Sequence, residues 1–414
     1  MNNIKLSRTT RNIALVWLGW SVILLAFQWL VTSRLDIKRP DHAVEWSEHE
    51  TLPSSNRGKI YLLEPFLNRQ VAWDSEYYVG IAVGGYDDPA AGAVRNPFSG
   101  QMVIKNYSFF PLYPYVMRAF MLPLGLLGMN PIATASLAGV IVALLGTLAG
   151  MFALKDLVQD YFNESDGLRA VFYMLIFPTG FFFAMVYTEG LFIGLAFWSL
   201  ALIRRKHWLW ASLLAVLATW TRAHGAALAI SLLAAWLLPV LKKGSWRKHG
   251  GDWKWYVQGL FALLPLAAYA VWRYSPLGEG WAELQSFYFG RGMMTLEASI
   301  GSWKRAFIYA VYMEKEALIY YLIEVIVILL AFFSSLWIIR RDLPLALFSM
   351  AAVLLSVFSG SAQSMARYMI VIPSMFIFLA HLGRKKAFDL IWIIVSIMLL
   401  GIEAMLFAFD MWVG

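Results

Sequence analysis

IALVWLGWSVILLAFQWLV, running from Ile13 to Val31, is the stretch that decides the fold class. Its apolar residues fall on every face of a helix, and it approaches the roughly 20 residues that a helix needs to cross a bilayer core. IWIIVSIMLL, Ile391 to Leu400, reads the same way at the far end of the chain. The strands of a membrane barrel would alternate over about 10 residues, and neither stretch alternates. Between them similar apolar runs recur along nearly all of the 414 residues, which are 60% hydrophobic and 14% charged. A soluble domain carries roughly 25% charge. A water-soluble enzyme is therefore excluded, and an all-α polytopic membrane protein is expected.

The 34 basic and 26 acidic residues give a net charge of +8. The cations stand at the ends of the apolar runs, so they read as topology determinants and not as a nucleic-acid surface. The chain has no cysteine, which excludes disulfides, thiolate metal sites and a thiol nucleophile. Lys5, Arg8 and Arg11 precede the first apolar run, which is too long for the core of a signal peptide and has no clear cleavage site. It is taken as the first span.

Spans are expected near 13–32, 131–154, 168–186, 187–203, 208–222, 225–241, 257–274, 318–339, 343–359, 367–382 and 388–409. With the N-terminus inside, these eleven put Lys155 with Arg169, then Arg204 to Lys206, then Lys242, Lys243, Arg247, Lys248 and Lys254, then Arg340 and Arg341, then Arg384 to Lys386 on the cytoplasmic side. The run 109–129 would invert that agreement if it crossed. Its Pro111, Pro114, Pro123 and Arg118 suit a re-entrant or interfacial helix. The C-terminus then lies outside. One membrane domain, 1–414, carries two long extracytoplasmic segments, 33–108 and 275–317, of which the first is richest in polar and turn residues and is the expected catalytic loop. The short chain and compact loops suggest a prokaryotic plasma membrane.

Four polar clusters approach the outer face in this topology. They are Trp73-Asp74-Ser75-Glu76-Tyr77-Tyr78, the segment Lys105 to Tyr115 with Tyr113, then Tyr187-Thr188-Glu189, and Thr221-Arg222-Ala223-His224-Gly225 together with Arg367-Tyr368. A carboxylate at an interface costs several kcal/mol when desolvated alone. Asp74 is thus an N-cap, half of an ion pair, or a functional acid. Arg222, Arg367 and Lys105 either snorkel or hold an anion. Their arrival at one face from separate spans favours an anionic ligand such as a phosphate. Glu189 is either a carboxylate favoured by a helix N-terminus or an anchor that orients Tyr187 or an arginine. Asp87-Asp88 reads as a solvated turn ahead of Pro89, and no metal site is expected.

WDSEYYVGIAVGGY (73–86), FFPLYP (109–114), FPTGFFFAMVYTEGLF (177–192), TRAHG (221–225) and RYMIVIP (367–373) resemble, in that order and at comparable spacing, the PIG-V-type mannosyltransferases, GPI mannosyltransferase II. The resemblance covers about residues 70 to 375. It implies a GT-C glycosyltransferase fold, and transfer of a sugar, expected to be mannose, from a polyprenyl-phosphate carrier on the extracytoplasmic face without a nucleotide-sugar donor. It also implies that Asp74 is the catalytic base. Ala72, Tyr77, Gly80 and His224 depart from the eukaryotic pattern, so the resemblance carries the transfer chemistry and not a glucosaminyl-phosphatidylinositol acceptor.

Such a transfer is inverting and needs one base. The leaving phosphate would be held by Arg222, Arg367 and Lys105, with His224 and Arg291 as further candidates. Trp73, Glu76, Tyr77, Tyr78, Tyr113, Tyr187 and Glu189 would line the substrate cavity. The partners are then a polyprenyl-phosphate sugar, a lipid or glycan acceptor and membrane lipids, with no nucleic acid, cofactor or metal. Two rivals remain. A flippase or transporter of lipid-linked sugars would place charges near the membrane midplane, where Glu324 and Glu403 stand. A membrane acyltransferase would want a histidine-centred base, for which His42, His49 and His224 are the outer candidates.

Overall fold

The structure is a computed structural model that describes residues 8–36, 66–88, 92–243, 253–292 and 295–413. Lys5, His42, His49, Pro89, Arg247 and Lys248 lie outside the described residues. In chain order the described helices are α1 (Arg8–Arg34), α2 (Asp74–Val83), α3 (Leu112–Leu124), α4 (Pro131–Gln159), α5 (Glu164–Leu175), α6 (Glu189–Arg204), α7 (Trp208–Thr219) and α8 (Leu228–Lys243). They continue with α9 (Trp253–Arg273), α10 (Pro276–Phe287), α11 (Leu296–Tyr312), α12 (Glu316–Ile338), α13 (Leu343–Val357), α14 (Met365–Met369), α15 (Pro373–Leu382) and α16 (Lys386–Ala408). An antiparallel hairpin, β1 (Ala93–Arg95) with β2 (Met102–Ile104), lies between α2 and α3. The chain is an all-α polytopic membrane protein.

The eleven expected spans are not eleven long helices. Among the described residues six helices are long and apolar enough to cross a membrane, or seven if one bent pair is a single span. That pair corrects the expected span 168–186, because α5 and the 3-10 helix Pro178–Ala184 meet at 85°. Pro178 at the first position of the second piece keeps Phe177 extended and ends the helix before it. The expected span 367–382 is broken in the same way. Ile372 is extended ahead of Pro373, so Arg367 sits on the separate five-residue α14. The expected span 208–222 ends as a helix at Thr219, leaving Arg222 extended. Segment 275–317 contains α10 and α11, so it is largely helical. Arg118 in α3 donates to the Ala82 and Ile81 carbonyls (2.9 and 3.0 Å), capping the C-terminus of α2.

α4 and α6 form the closest helix pair, and glycines make it possible. A Cβ on Gly146 would stand 2.6 Å from the Gly190 carbonyl oxygen, and one on Gly190 would stand 2.2 Å from that of Ala143. Small residues let helix backbones approach closely where lipid offers no hydrophobic drive. The contact places Glu189, the first residue of α6, so it is more than packing. Gly190→Ala should force the backbones apart, lower thermal stability by about 1–3 kcal/mol, and shift Glu189. Tryptophan-fluorescence melting in detergent is the check.

The core is built around Phe177 to Tyr187, every residue of which is buried. Phe181, Phe182, Tyr187 and Phe407 pack ring to ring at 4.3 to 5.8 Å. These phenylalanines are therefore core packing and do not line a lipid groove. Irregular backbone at this depth is tolerated because protein surrounds it.

Ion pairs gather three of the five basic clusters at one end of the molecule, and a fourth joins them through Arg341, which shares the Phe162 ring with Arg384 (5.4 and 4.7 Å). Arg204 pairs with Asp160 (2.8 Å) and Asp342 (3.2 Å), Arg205 with Asp156, Arg384 with Asp166 (2.6 Å), and Arg169 with Asp166 (2.7 Å) and Asp389 (3.7 Å). Arg204 ends α6 and Glu189 begins it. At 1.5 Å per residue those ends are about 24 Å apart, so the cluster around Glu189 belongs to the opposite end.

Candidate active site

The turn before α2 is strained in a defined way. Trp73 has φ +55° and ψ −116°, a region that glycine favours and that costs a larger residue about 1–3 kcal/mol. Its indole Nε1 donates to the Met411 carbonyl (3.2 Å), and its ring meets Trp412 edge-on at 4.9 Å. Tyr187 clamps the same turn. Its hydroxyl donates to the Ala72 carbonyl (3.1 Å) and accepts from the Asp74 N–H (3.3 Å). The Asp74 carboxylate is thereby held at the first position of α2.

Arg367 Nη1 donates to Asp74 Oδ2 at 2.8 Å, joining residues 293 positions apart in sequence. The two side chains differ in exposure, 6% for Arg367 and 30% for Asp74. Behind them Glu189, 1% exposed, pairs with Arg222 and lies 3.7 Å from Arg367 Nε. Arg222 Nη1 also donates to the Thr188 hydroxyl (3.1 Å). Arg291 Nη1 and Arg367 Nη2 donate to the Tyr368 hydroxyl oxygen at 2.6 and 3.3 Å. The Tyr368 ring carries the guanidiniums of Arg222, Arg291 and Arg367 at 5.4, 5.7 and 5.1 Å. Three guanidiniums against the carboxylates of Asp74 and Glu189 leave one positive charge in a largely buried cluster whose acid is open. That imbalance suits an anionic ligand.

The remaining candidates are placed as follows. The His224 ring lies tilted 6.1 Å from that of Tyr368, and its Nε2 lies 2.8 Å from the Ser356 hydroxyl. Ser356 Oγ also lies 2.9 Å from the Ala352 carbonyl oxygen, four residues earlier on α13. Gly225 lets this turn form, because a Cβ there would stand 2.2 Å from the Thr219 amide nitrogen. Tyr77 stacks on Phe109 at 4.9 Å, and Tyr78 packs edge-on against Phe109, Tyr113 and Tyr187 at 5.0, 5.2 and 6.4 Å. Tyr113 is fully buried with its hydroxyl on the Gly139 carbonyl (2.9 Å), and Glu76 is 5% exposed. Lys105 is placed differently, 5.3 Å from the Tyr288 ring at the end of α10.

Tyr368 is the residue that motif reading left without a role, although it stands beside Arg367 in RYMIVIP. Its signal was its neighbour. Met411 and Trp412 carried no signal, since nothing in a chain-terminal FDMWV links it to a turn at position 73. Among the described residues no group of three or more metal-ligating side chains is placed to hold a metal ion.

No family model matches the chain, and no curated protein matches it. Among solved structures it is similar to ArnT from Cupriavidus metallidurans bound to undecaprenyl phosphate, at 14% identity and TM-score 0.45, covering 89% of this chain and 60% of that one. The apo state of the same protein gives 14% identity and TM-score 0.43, covering 80% and 59%. The chain thus spans about three fifths of the length of the structures it matches. At these TM-scores the likeness carries no argument about substrate or mechanism.

Proposed function

We propose that this protein is a membrane glycosyltransferase of the GT-C class that moves a hexose, mannose, from a polyprenyl-phosphate sugar to a lipid or glycan acceptor on the extracytoplasmic face. One observation carries the reading. Motifs from residues 74, 189, 222 and 367 converge on a single cluster in which the acid is open and the cations lie behind it. The choice of mannose and of the carrier rests on the motif resemblance.

In this reading the acceptor oxygen attacks the anomeric carbon as the bond from that carbon to the phosphate oxygen breaks, with inversion. The acceptor proton goes to Asp74. Its Oδ2 is held by Arg367, and its 30% exposure leaves the carboxylate within reach of an acceptor. The phosphodiester begins with one negative charge and leaves as a monoester with more. The unbalanced positive charge of the cluster meets the first of these, and the fixed guanidiniums stabilise the second in a site where water is scarce. Arg222, Arg291 and Arg367 would hold the phosphate, with His224 behind them and Lys105 nearer the approach along α10.

Of the two carboxylates a transporter would use, Glu324 is 1% exposed and accepts from the Ala366 N–H at 2.5 Å.

The test is transfer of radiolabelled mannose from synthetic polyprenyl-phosphate-mannose by the purified protein in liposomes, with crude lipid extract as acceptor and chelator present. Label in a new product supports the reading. No product with any acceptor pool from folded protein sinks it and turns attention to transport. The sidedness is checked separately. The cysteine-free chain allows single cysteines at the exposed Ser99 and Lys385, and a membrane-impermeant maleimide added to intact cells should label Ser99→Cys alone. Equal labelling, or the reverse, removes the extracytoplasmic site.

A further inference from the structure

Arg367 and Asp74 meet across 293 residues, and each follows an irregular turn. Asp74 follows a strained tryptophan, and Arg367 sits on the five-residue α14 after Ser364, whose φ is +65°. Backbone in such conformations persists only where its surroundings over-determine it. Both turns lead to one face of α12.

Glu324 of α12 is buried, and no cation pairs with it among the described residues. Its Oε2 accepts from the Ala366 N–H at 2.5 Å, immediately before Arg367. Tyr320 stands one turn earlier on the same face, at the i and i+4 spacing that makes helix neighbours. Its hydroxyl oxygen accepts from the Ser364 N–H at 3.2 Å and from Trp412 Nε1 at 3.2 Å. Trp412 in turn packs edge-on against Trp73 at 4.9 Å, and Trp73 precedes Asp74. A buried carboxylate costs several kcal/mol unless hydrogen-bonded, and here its hydrogen bond goes to the turn that aims the cation.

We propose that Tyr320 and Glu324 are positioning residues for the Asp74 and Arg367 pair. From one face of α12 they hold the α14 turn that presents Arg367 and, through Trp412, the turn that presents Asp74. The kinetic part of this inference rests on the transferase reading, and the structural part does not. Misplacing a reacting group by about 1 Å costs about 100-fold in rate. Removing the brace acts on that scale.

Five variants and three readouts test it: Glu324→Ala, Glu324→Gln, Tyr320→Phe, Arg367→Ala, and Glu324→Ala combined with Arg367→Ala. Glu324→Ala should lower kcat/KM for polyprenyl-phosphate-mannose by about 100-fold, and Glu324→Gln, which keeps an acceptor oxygen, by far less. In the Arg367→Ala background Glu324→Ala should add nothing, because the group it aims is gone. A merely stabilising residue would lower the melting temperature and add its effect in both backgrounds, which would overturn the proposal. If Glu324→Ala does not fold, Tyr320→Phe is read by hydrogen exchange in its place, because Tyr320 also holds the Asp74 turn through Trp412 and its kinetic effect would not vanish in the Arg367→Ala background. Hydrogen exchange of the 364–367 amides needs no substrate. Faster exchange in Glu324→Ala or Tyr320→Phe, with no transfer by any variant or by wild type, keeps the brace and removes the transferase reading. Unchanged exchange removes the brace.

Discussion

Replacing Asp74 by Asn is expected to reduce sugar transfer by about 100- to 10,000-fold while leaving the protein folded and able to bind donor lipid. The amide has nearly the shape of the carboxylate but cannot take the acceptor proton. Asn keeps one amide oxygen that can accept from Arg367 where the carboxylate oxygen stands at 2.8 Å, and Glu189 stays 3.7 Å from Arg367 Nε, so the placement of Arg367 survives. The loss should therefore fall on kcat and spare KM for the donor, the pattern of a group that acts only in the transition state. Asp74→Glu sharpens the test. The strained Trp73 turn fixes where the chain enters α2, and one extra methylene pushes the carboxyl away from that point, so activity should also fall by about 100-fold. Full turnover by Asp74→Asn would return Asp74 to the role of an ion-pair partner.

The second large effect is on Glu189. Its carboxylate, 1% exposed, is the shared partner of Arg222 and Arg367. Glu189→Ala leaves two buried guanidiniums without it, and breaking a buried pair in this way costs about 3–5 kcal/mol. The variant should melt far below wild type in detergent and lose donor use together with stability. Glu189→Gln keeps the volume and an acceptor oxygen and should lose less. A melting temperature unchanged in Glu189→Ala would show that the guanidiniums find water or another acceptor, and Glu189 would then be an ordinary helix N-terminal acid.

How far the fold was legible depended on where its causes were local. α1, α4, α12 and α16 were readable because transfer of an apolar run into lipid is a property of that run alone. The break at Phe177 and Pro178 and the one at Ile372 and Pro373 carry proline signals that the apolar average of their windows concealed, which is why 168–186 and 367–382 read as spans. The basic clusters at Lys155 to Arg169, Arg204 to Lys206, Arg340 and Arg341, and Arg384 to Lys386 were placed together by charge alone; ion pairs join three of them, and Arg341 shares the Phe162 ring with Arg384. In the site, single motifs were visible and their partners were not. Asp74 as a carboxylate that needs a reason and Glu189 as a possible anchor for arginines were both readable from cost, since a desolvated charge demands a partner.

The sequence by itself determined that this chain is a bundle of apolar helices with cations at their ends, that it holds no thiol chemistry, and that its unusual polar groups cluster in a few short motifs. Those follow from solvation free energy, which each segment carries with it. Only the tertiary structure decided that Asp74 meets Arg367, that Glu189 stands between Arg222 and Arg367, that Tyr368 gathers three guanidiniums, and that Glu324 accepts a hydrogen bond from the Ala366 backbone. Ion pairs and hydrogen bonds are made within a few ångströms, and which groups come that close depends on helix crossings such as the glycine contact of α4 with α6, a property of two segments and not of either one.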